Sequence, residues 1–336
     1  MSSVLSYSFN AIAPILLLIL VGYYCRRSGL LSLSAIKEIN RFDFRFGLSC
    51  LMFVNIYEIG EFRDIPLDIL AFTLGMLVLF TVIGFLIAGK ITNRDDRKGV
   101  IIQACFRSNY AIIGIVLAQE LAGQKGATLA TLFQLPTVIY FNFVSVIVLS
   151  IYSEKKEKID FKGICKKLSK NPLIVGLIAG VIALGIRQVV PFGADGELVF
   201  KFDRDLPWFY SAVKNLSRMA TPLALVALGG QLELSDTKEF GRELRLGVLC
   251  RLVMAPVVGF SLAVLLNALG VFRLTPESCA MMVAAFGSPM AVSSVVMSAE
   301  MGADDVFAGQ IVVWTSILSM LSLFIITGIL RGFGYL

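Results

Sequence analysis

The amino-acid sequence predicts an all-α integral membrane protein of about ten transmembrane helices, arranged as two inverted five-helix repeats with broken crossover helices at the fourth and ninth positions. Three observations carry that prediction. The chain is 57% hydrophobic and only 16% charged, with a mean hydropathy of +0.81, whereas soluble domains carry roughly 25% charged residues. Its apolar residues fall in blocks of ~20, the length that crosses a ~30 Å hydrocarbon core as helix. The two halves of the chain also resemble each other at fixed spacings. Because lipid satisfies no backbone N–H or C=O, apolar blocks of this length close their hydrogen bonds internally, as helices.

Ten blocks are read, at 7–24, 37–57, 66–89, 99–121, 127–151, 171–187, 209–232, 246–268, 276–299 and 306–330. The first has no basic residue ahead of it and no small-residue cleavage site, so it reads as a retained helix and not a signal peptide. The second carries Arg41, Asp43 and Arg45 in its first turns, which places that end at the headgroups with Asp43 paired to Arg41 or Arg45. In the sixth, Gly176-x-x-x-Gly180 reads as close helix packing. The connecting loops set the orientation: those on one side hold 17 basic residues and those on the other, with the C-terminus, seven. The excess of Lys and Arg marks the cytoplasmic side. The reading is therefore a multi-pass protein of the plasma membrane with both termini outside. Residues 1–152 form the first repeat, 153–170 a lysine-rich cytoplasmic loop in contact with anionic lipid, and 171–336 the second repeat.

Several function classes are excluded. The net charge of +6 is spread over short loops and does not form a nucleic-acid surface. There is no histidine, which removes His-based catalysis, haem ligation through His and His proton relays. The six cysteines are scattered without a C-x-x-C pair, so neither a disulfide framework nor a zinc site is expected. With no Ser/His, metal-ligand or paired-acid constellation, the chain reads as a non-enzyme without a cofactor or bound metal.

The internal repeat narrows the chemistry. A shift of 180 residues lays Ala104-Cys105-Phe106-Arg107-Ser108-Asn109 on Ala284-Ala285-Phe286-Gly287-Ser288-Pro289, with further identities at Ala111/Ala291, Val116/Val296 and Glu120/Glu300. A shift of 158 lays Pro14 on Pro172 and Gly22 on Gly180. The first block thus matches the sixth and the fourth matches the ninth. Five helices per half is an odd number, so the second half starts on the opposite membrane face and the repeats are inverted. Inverted repeats are typical of secondary transporters, whose substrate sites form near the midplane where paired helices are interrupted.

Asn109 lies eleven residues in from Lys98, roughly 16 Å at 1.5 Å per residue and so close to the midplane. Gly287-Ser288-Pro289 lies at matching depth, where Gly and Pro interrupt the helix ladder. The candidate substrate-binding residues are Arg107, Ser108, Asn109 and Tyr110 with Gly287, Ser288, Pro289 and Met290. Arg107 has two readings, attraction of an anionic substrate or a structural ion pair, because a cation at this depth needs water or a partner. Asp43, Asn142, Gln231 and Gln310 are candidates for coupling or pathway residues, with Asn10 and Gln134 as weaker polar candidates that also suit interhelical hydrogen bonds.

The chain resembles bacterial members of the auxin efflux carrier family. The resemblance rests on Phe106-Arg107-Ser108-Asn109-Tyr110 with Gly114, on Asn142, on Asn171-Pro172-Leu173-Ile174, on Thr221-Pro222-Leu223-Ala224-Leu225 with Leu228-Gly229-Gly230-Gln231-Leu232, and on Pro289-Met290-Ala291-Val292. It departs from relatives at Ser49-Cys50 and at Val116, where they commonly carry proline. The resemblance implies a fold related to bile-acid symporters and sodium/proton antiporters. It also implies a scaffold of helices 1, 2, 6 and 7, a transport domain of helices 3–5 and 8–10, and a substrate site where helices 4 and 9 cross. The implied function is secondary transport of a small organic anion. Partners are that anion, the bilayer, a coupling proton or sodium ion, and a second copy of the chain as a homodimer. The alternatives are a sodium- or proton-coupled symporter for a larger amphipathic anion, and a non-transporting membrane receptor.

Overall fold

The computed structural model describes residues 2–58, 66–152, 172–189, 201–231 and 241–336. The lysine-rich segment 153–170, Asn171 and Leu232 lie outside the described residues, as do the side chains of Asn10, Val296 and Glu300. Among the described residues every regular element is helical, and the one extended pairing is an isolated bridge between Ser108 and Met290. In chain order the helices are α1 (Ser2–Arg27), α2 (Leu33–Phe42), α3 (Leu48–Tyr57), α4 (Leu67–Ile91), α5 (Asp95–Phe106), α6 (Ile115–Tyr152), α7 (Pro172–Val189), α8 (Phe202–Asp205), α9 (Pro207–Gly230), α10 (Gly241–Leu249), α11 (Ala255–Ala268), α12 (Pro276–Met282), α13 (Ser293–Glu300) and α14 (Asp305–Gly332). Short π-helical segments at Asp43–Gly47, Tyr110–Gly114, Cys250–Met254 and Val283–Gly287 join or extend them. Among the described residues, four continuous helical stretches, 67–91, 110–152, 241–268 and 305–332, are long and apolar enough to cross a membrane, and Pro172–Arg187 is a shorter apolar helix.

The 110–152 stretch is two helices. Its 43 residues would run ~65 Å if straight, about twice a hydrocarbon core. Ala122 (φ −138°) and Gly123 (φ 62°, ψ −156°) leave helical geometry and fold the chain back. The Tyr110 hydroxyl therefore donates to the Ala130 carbonyl at 2.9 Å, two groups that a straight helix would hold ~30 Å apart. Gly123 occupies a backbone region open almost only to glycine, so Gly123→Ala is expected to destabilise the protein by about 1–3 kcal/mol. A thermal melt in detergent measures this.

Two compact units make up the described chain. The first comprises Met1–Pro14, Leu67–Ile164 and Glu233–Leu336, and the second Ile15–Pro66 and Cys165–Leu232. Each draws helices from both halves of the sequence, and the first unit also takes Met1–Pro14, part of the helix that the family resemblance assigns to the scaffold.

In the first unit, α4 packs on α5, α5 on α6 and α12 on α6. Phe286 is wedged edge-on between Phe80 (5.4 Å between centroids) and Phe260 (5.9 Å). Gly259 makes that wedge fit, since a Cβ there would sit 2.5 Å from the Phe286 ring. At one end the starts of α5, α10 and α14 meet through Arg97, which is 4% exposed. Its guanidinium donates to Asp304 at 2.8 Å and to Glu243, and lies over the Phe307 ring. Asp304 also caps α14, accepting from the Phe307 N–H at 2.8 Å. Beside it, Arg94 donates to both Asp96 oxygens (3.1 and 2.6 Å) and holds that carboxyl below its ordinary range. A depressed carboxyl pKa contributes stability above the unfolded-state value and loses it as the pH falls through the folded value. The melting temperature is thus expected to fall between about pH 5 and about pH 3, and less so in Asp96→Asn.

In the second unit, α7 lies against α3 in close backbone contact. A Cβ on Gly176 would fall 2.2 Å from the Ser49 carbonyl oxygen, and one on Gly180 would fall 3.0 Å from that of Phe53. The expected small-residue packing is therefore present. One end of the unit is tied by polar contacts: Arg187 donates to the Tyr57 carbonyl at 2.8 Å, Tyr57 to Asp203 at 3.0 Å, and Lys214 to Glu58 at 2.8 Å. The second apolar block begins earlier than expected, at Leu33, where Ser32 caps the helix by accepting from the Ala35 N–H.

Candidate functional site

Both helices singled out by the repeat are broken within the first unit, and the breaks meet. On one strand α5 ends at Phe106, and Arg107 is extended (φ −86°, ψ 101°) before the Tyr110–Gly114 segment resumes. On the other, the Val283–Gly287 segment ends at an extended Ser288 (φ −65°, ψ 148°), and α13 starts at Ser293. The second break has a local cause. Proline pushes the residue before it out of the helical region and removes a backbone donor, and Pro289 follows Ser288. The first break contains no proline. It is held by the second: the Asn109 N–H donates to the Pro289 carbonyl at 2.7 Å, and the Ala291 N–H to the Arg107 carbonyl at 3.3 Å. Ser108 and Met290 pair as an antiparallel bridge, and the Met290 N–H donates to Thr315 Oγ1 at 3.1 Å. Each break thus satisfies backbone groups that the other frees, as a buried backbone requires.

The side chains at the crossing are buried but unevenly satisfied. Ser108, Asn109, Ser288 and Met290 are 3%, 5%, 0% and 0% exposed. Among the described residues, Ser108 Oγ, Asn109 Nδ2 and Ser288 Oγ make no hydrogen bond to another protein group, nor do Ser294 Oγ and Ser298 Oγ nearby in sequence. Buried polar atoms are normally paired, so hydroxyl and amide groups left free at one crossing are available to bind. Tyr110 is instead committed to the wall: its hydroxyl holds Ala130 and its ring packs edge-on against Phe133. Gly114 lets the two broken segments approach, since a Cβ there would stand 3.2 Å from Ala284 Cβ. A Cβ on Gly287 would meet the end of the Leu323 side chain at 2.8 Å.

Arg107 is 3% exposed. Its guanidinium donates to the Phe141 carbonyl (3.2 Å), Ser145 Oγ (2.7 Å) and Ser293 Oγ (2.9 Å), and contacts Met297 Sδ. No carboxylate of the described residues pairs with it, so of the two readings of Arg107 the ion pair is absent there. A second arginine, passed over in the sequence, sits in the same unit. Arg251 is fully buried and reaches the Ala285, Phe286 and Cys105 carbonyls at 2.9, 2.6 and 3.4 Å. The sequence signal is a lone charge within an apolar block, which by itself marks a functional candidate.

The remaining candidates are dispersed. Asp43 is in the second unit, and its environment differs from expectation. It is fully buried and neither carboxylate oxygen has a partner among the described residues, while Arg41 and Arg45 are exposed. Residues two apart on a helix point to different faces, so neither arginine reaches it. Gly47 gives the carboxylate its room, as a Cβ there would fall 2.1 Å from Asp43 Oδ1. Gln231, also in the second unit, bonds through its side-chain amide to the Ala227 carbonyl of its own helix. In the first unit Asn142 does the same to the Val138 carbonyl, and Gln134 and Gln310 are buried.

The model of the family described as membrane transport protein matches residues 7–327. A curated relative from Methanocaldococcus jannaschii, described as an uncharacterized transporter, is 23% identical over 277 residues, covering 78% of this chain and 80% of the relative. With apolar helices of membrane-spanning length, two paired helix breaks and a family match over nearly its whole length, the chain belongs to the membrane transport protein family, that of the auxin efflux carriers.

Proposed function

We propose that the protein is a secondary transporter that moves a small organic anion across the plasma membrane by alternating access, with the substrate bound at the crossing of the two breaks. The observation that carries the reading is the hydrogen bond from Asn109 to Pro289. These residues are mates in the 180-residue repeat, and mates facing each other on antiparallel strands are what a two-fold axis in the membrane plane produces. The ten-helix, five-plus-five inverted arrangement follows from that axis. It is supported by the helix ends that meet: Arg97, Glu243 and Asp304 belong to loops assigned to one face, and Arg187 and Asp203, which both meet Tyr57, to the other. The basic loops make the first of these faces cytoplasmic, with both termini outside. The first unit would carry the substrate and the second would be the scaffold.

Anion binding is supported by donors without acceptors. The crossing offers Ser108, Asn109 and Ser288 side chains, with two buried guanidiniums in the same unit. A carboxylate accepts such donors with charge-assisted bonds. In the second unit, the buried Asp43 is the candidate coupling residue for a proton or sodium ion. Asp43→Asn is expected to remove the dependence of transport on the pH or sodium gradient, and unaltered dependence would refute that role.

The direct test is a thermal-shift comparison with malonate, malate, indole-3-acetate and an amino acid, with and without sodium. A ligand at a hundredfold excess over its Kd stabilises its protein by ~2.7 kcal/mol. At least one anion is expected to raise the wild-type melting temperature and to leave Asn109→Ala unshifted. The ligand-free melting temperature of that variant should stay near wild type, because Asn109 Nδ2 bonds to no protein group among the described residues. An anion that stabilises both proteins equally would place the site elsewhere.

A further inference from the structure

We propose that Arg251 sets the charge preference of the crossing by neutralising the carbonyl ends of both broken helices; this deepens the site reading above and rests on it. All three carbonyls it touches have lost their helical donors. In an α-helix the Ala285 carbonyl would accept from residue 289 and the Phe286 carbonyl from residue 290. Residue 289 is proline, which has no N–H, and the Met290 N–H is given to Thr315. The Cys105 carbonyl would accept from residue 109, whose N–H is given to Pro289. Arg251 takes all three, through Nη2 to Ala285 and Phe286 and through Nη1 to Cys105. The side chain comes from the Cys250–Met254 π segment, is completely buried, and pairs with no carboxylate among the described residues.

The electrostatic consequence follows from the ends of the half-helices. Two helix C-termini carry roughly half a negative charge each and two N-termini roughly half a positive charge each, so a bare crossing is close to balanced. One guanidinium on both carbonyl ends removes about one negative charge. What remains is the pair of N-terminal ends, at Tyr110 and Ser293, together with Arg107, which donates to Ser293 Oγ. The crossing is left positive, and it discriminates against a neutral isostere of its substrate. Arg251 acts through the backbone it caps and is a positioning and specificity-determining residue.

The experiment compares the anion that stabilises the wild type, from malonate, malate and indole-3-acetate, with its neutral amide, by thermal-shift titration of wild type, Arg251→Gln and Arg251→Lys. The wild type is expected to prefer the anion at least tenfold. Arg251→Gln is expected to lose at least tenfold in anion affinity with the amide affinity unchanged. Arg251→Lys, which keeps the charge, is expected within about threefold of wild type for both. An Arg251→Gln protein that keeps the anion preference overturns the proposal, as does equal loss of anion and amide binding, which is the mark of a purely structural role. If Arg251→Gln does not fold, a lysine variant that folds and has lost the preference overturns it, and one that keeps the preference supports it. Failure of the site reading is separate: anion binding in the wild type that survives Asn109→Ala, or no anion binding at all.

Discussion

Gly229→Val is expected to leave almost no folded, detergent-extractable protein. Within the second unit, α9 passes α1 at backbone contact, and the glycines on both sides make the approach. A Cβ on Gly229 would lie 1.9 Å from the Ile19 carbonyl oxygen, and a Cβ on Gly22 would lie 1.9 Å from that of Val226. Neither obstacle is a movable side chain. Both carbonyls are locked in helix, so relief means separating α1 from α9 along the contact. In a membrane, association of helices rests on close packing, because lipid is as apolar as the side chains themselves. Overpacking a rigid core costs about 1–3 kcal/mol, occasionally more, and a backbone clash on a helix pair lies at the upper end. The matched control is Gly75→Val in α4, where nothing lies within 4 Å of an added Cβ. That variant is expected to extract and melt like wild type, and size-exclusion chromatography with a melt reads both.

Arg97→Ala is expected to be the most damaging single change in the first unit. The guanidinium is 4% exposed and serves two carboxylates, on side chains only 20% and 11% exposed. Removing one partner of a buried pair leaves charges uncompensated, at a cost of about 3–5 kcal/mol. The effect should be largely electrostatic, so Arg97→Lys is expected to recover only part of the loss: one ammonium does not reproduce the fork that reaches Glu243 and Asp304 together. Arg97→Ala combined with Glu243→Gln and Asp304→Asn should melt higher than Arg97→Ala alone. A triple variant no more stable than the single one would show that the residue matters for packing against Phe307 and not for charge.

The elements differ in how far the sequence discloses them, and the reasons are physical. Apolar runs of bilayer length declare themselves because lipid leaves the backbone no other conformation, and the broken ninth block declares itself because Pro289 removes a donor on the spot. The break at Arg107-Ser108-Asn109 has no such residue. It was legible only through its repeat mate, and its cause is the hydrogen bonds that cross from the second break. The turn at Ala122-Gly123 lies between the two blocks expected there, and only these two residues leave helical geometry to make it.

Asp43 and Arg251 show what local reading misses. The arginines two positions either side of Asp43 suggested a pair, yet helical geometry sends them to other faces and leaves the carboxylate buried and unpaired. Arg251 was hidden in an otherwise apolar run, and nothing in the run announces the π segment that carries it. Its three carbonyl partners come from α5 and the Val283–Gly287 segment, so its role exists only once the breaks have met.

In the proposed mechanism the substrate binds at the crossing of the two breaks and moves with it. The most direct test is flux into proteoliposomes of radiolabelled malonate, malate and indole-3-acetate, with wild type, Asn109→Ala and the neutral control Gly75→Val side by side. The expected result is saturable uptake of at least one of these anions by wild type and Gly75→Val, reduced tenfold or more in Asn109→Ala at equal amounts of folded protein. Uptake by Asn109→Ala at the wild-type rate would contradict it.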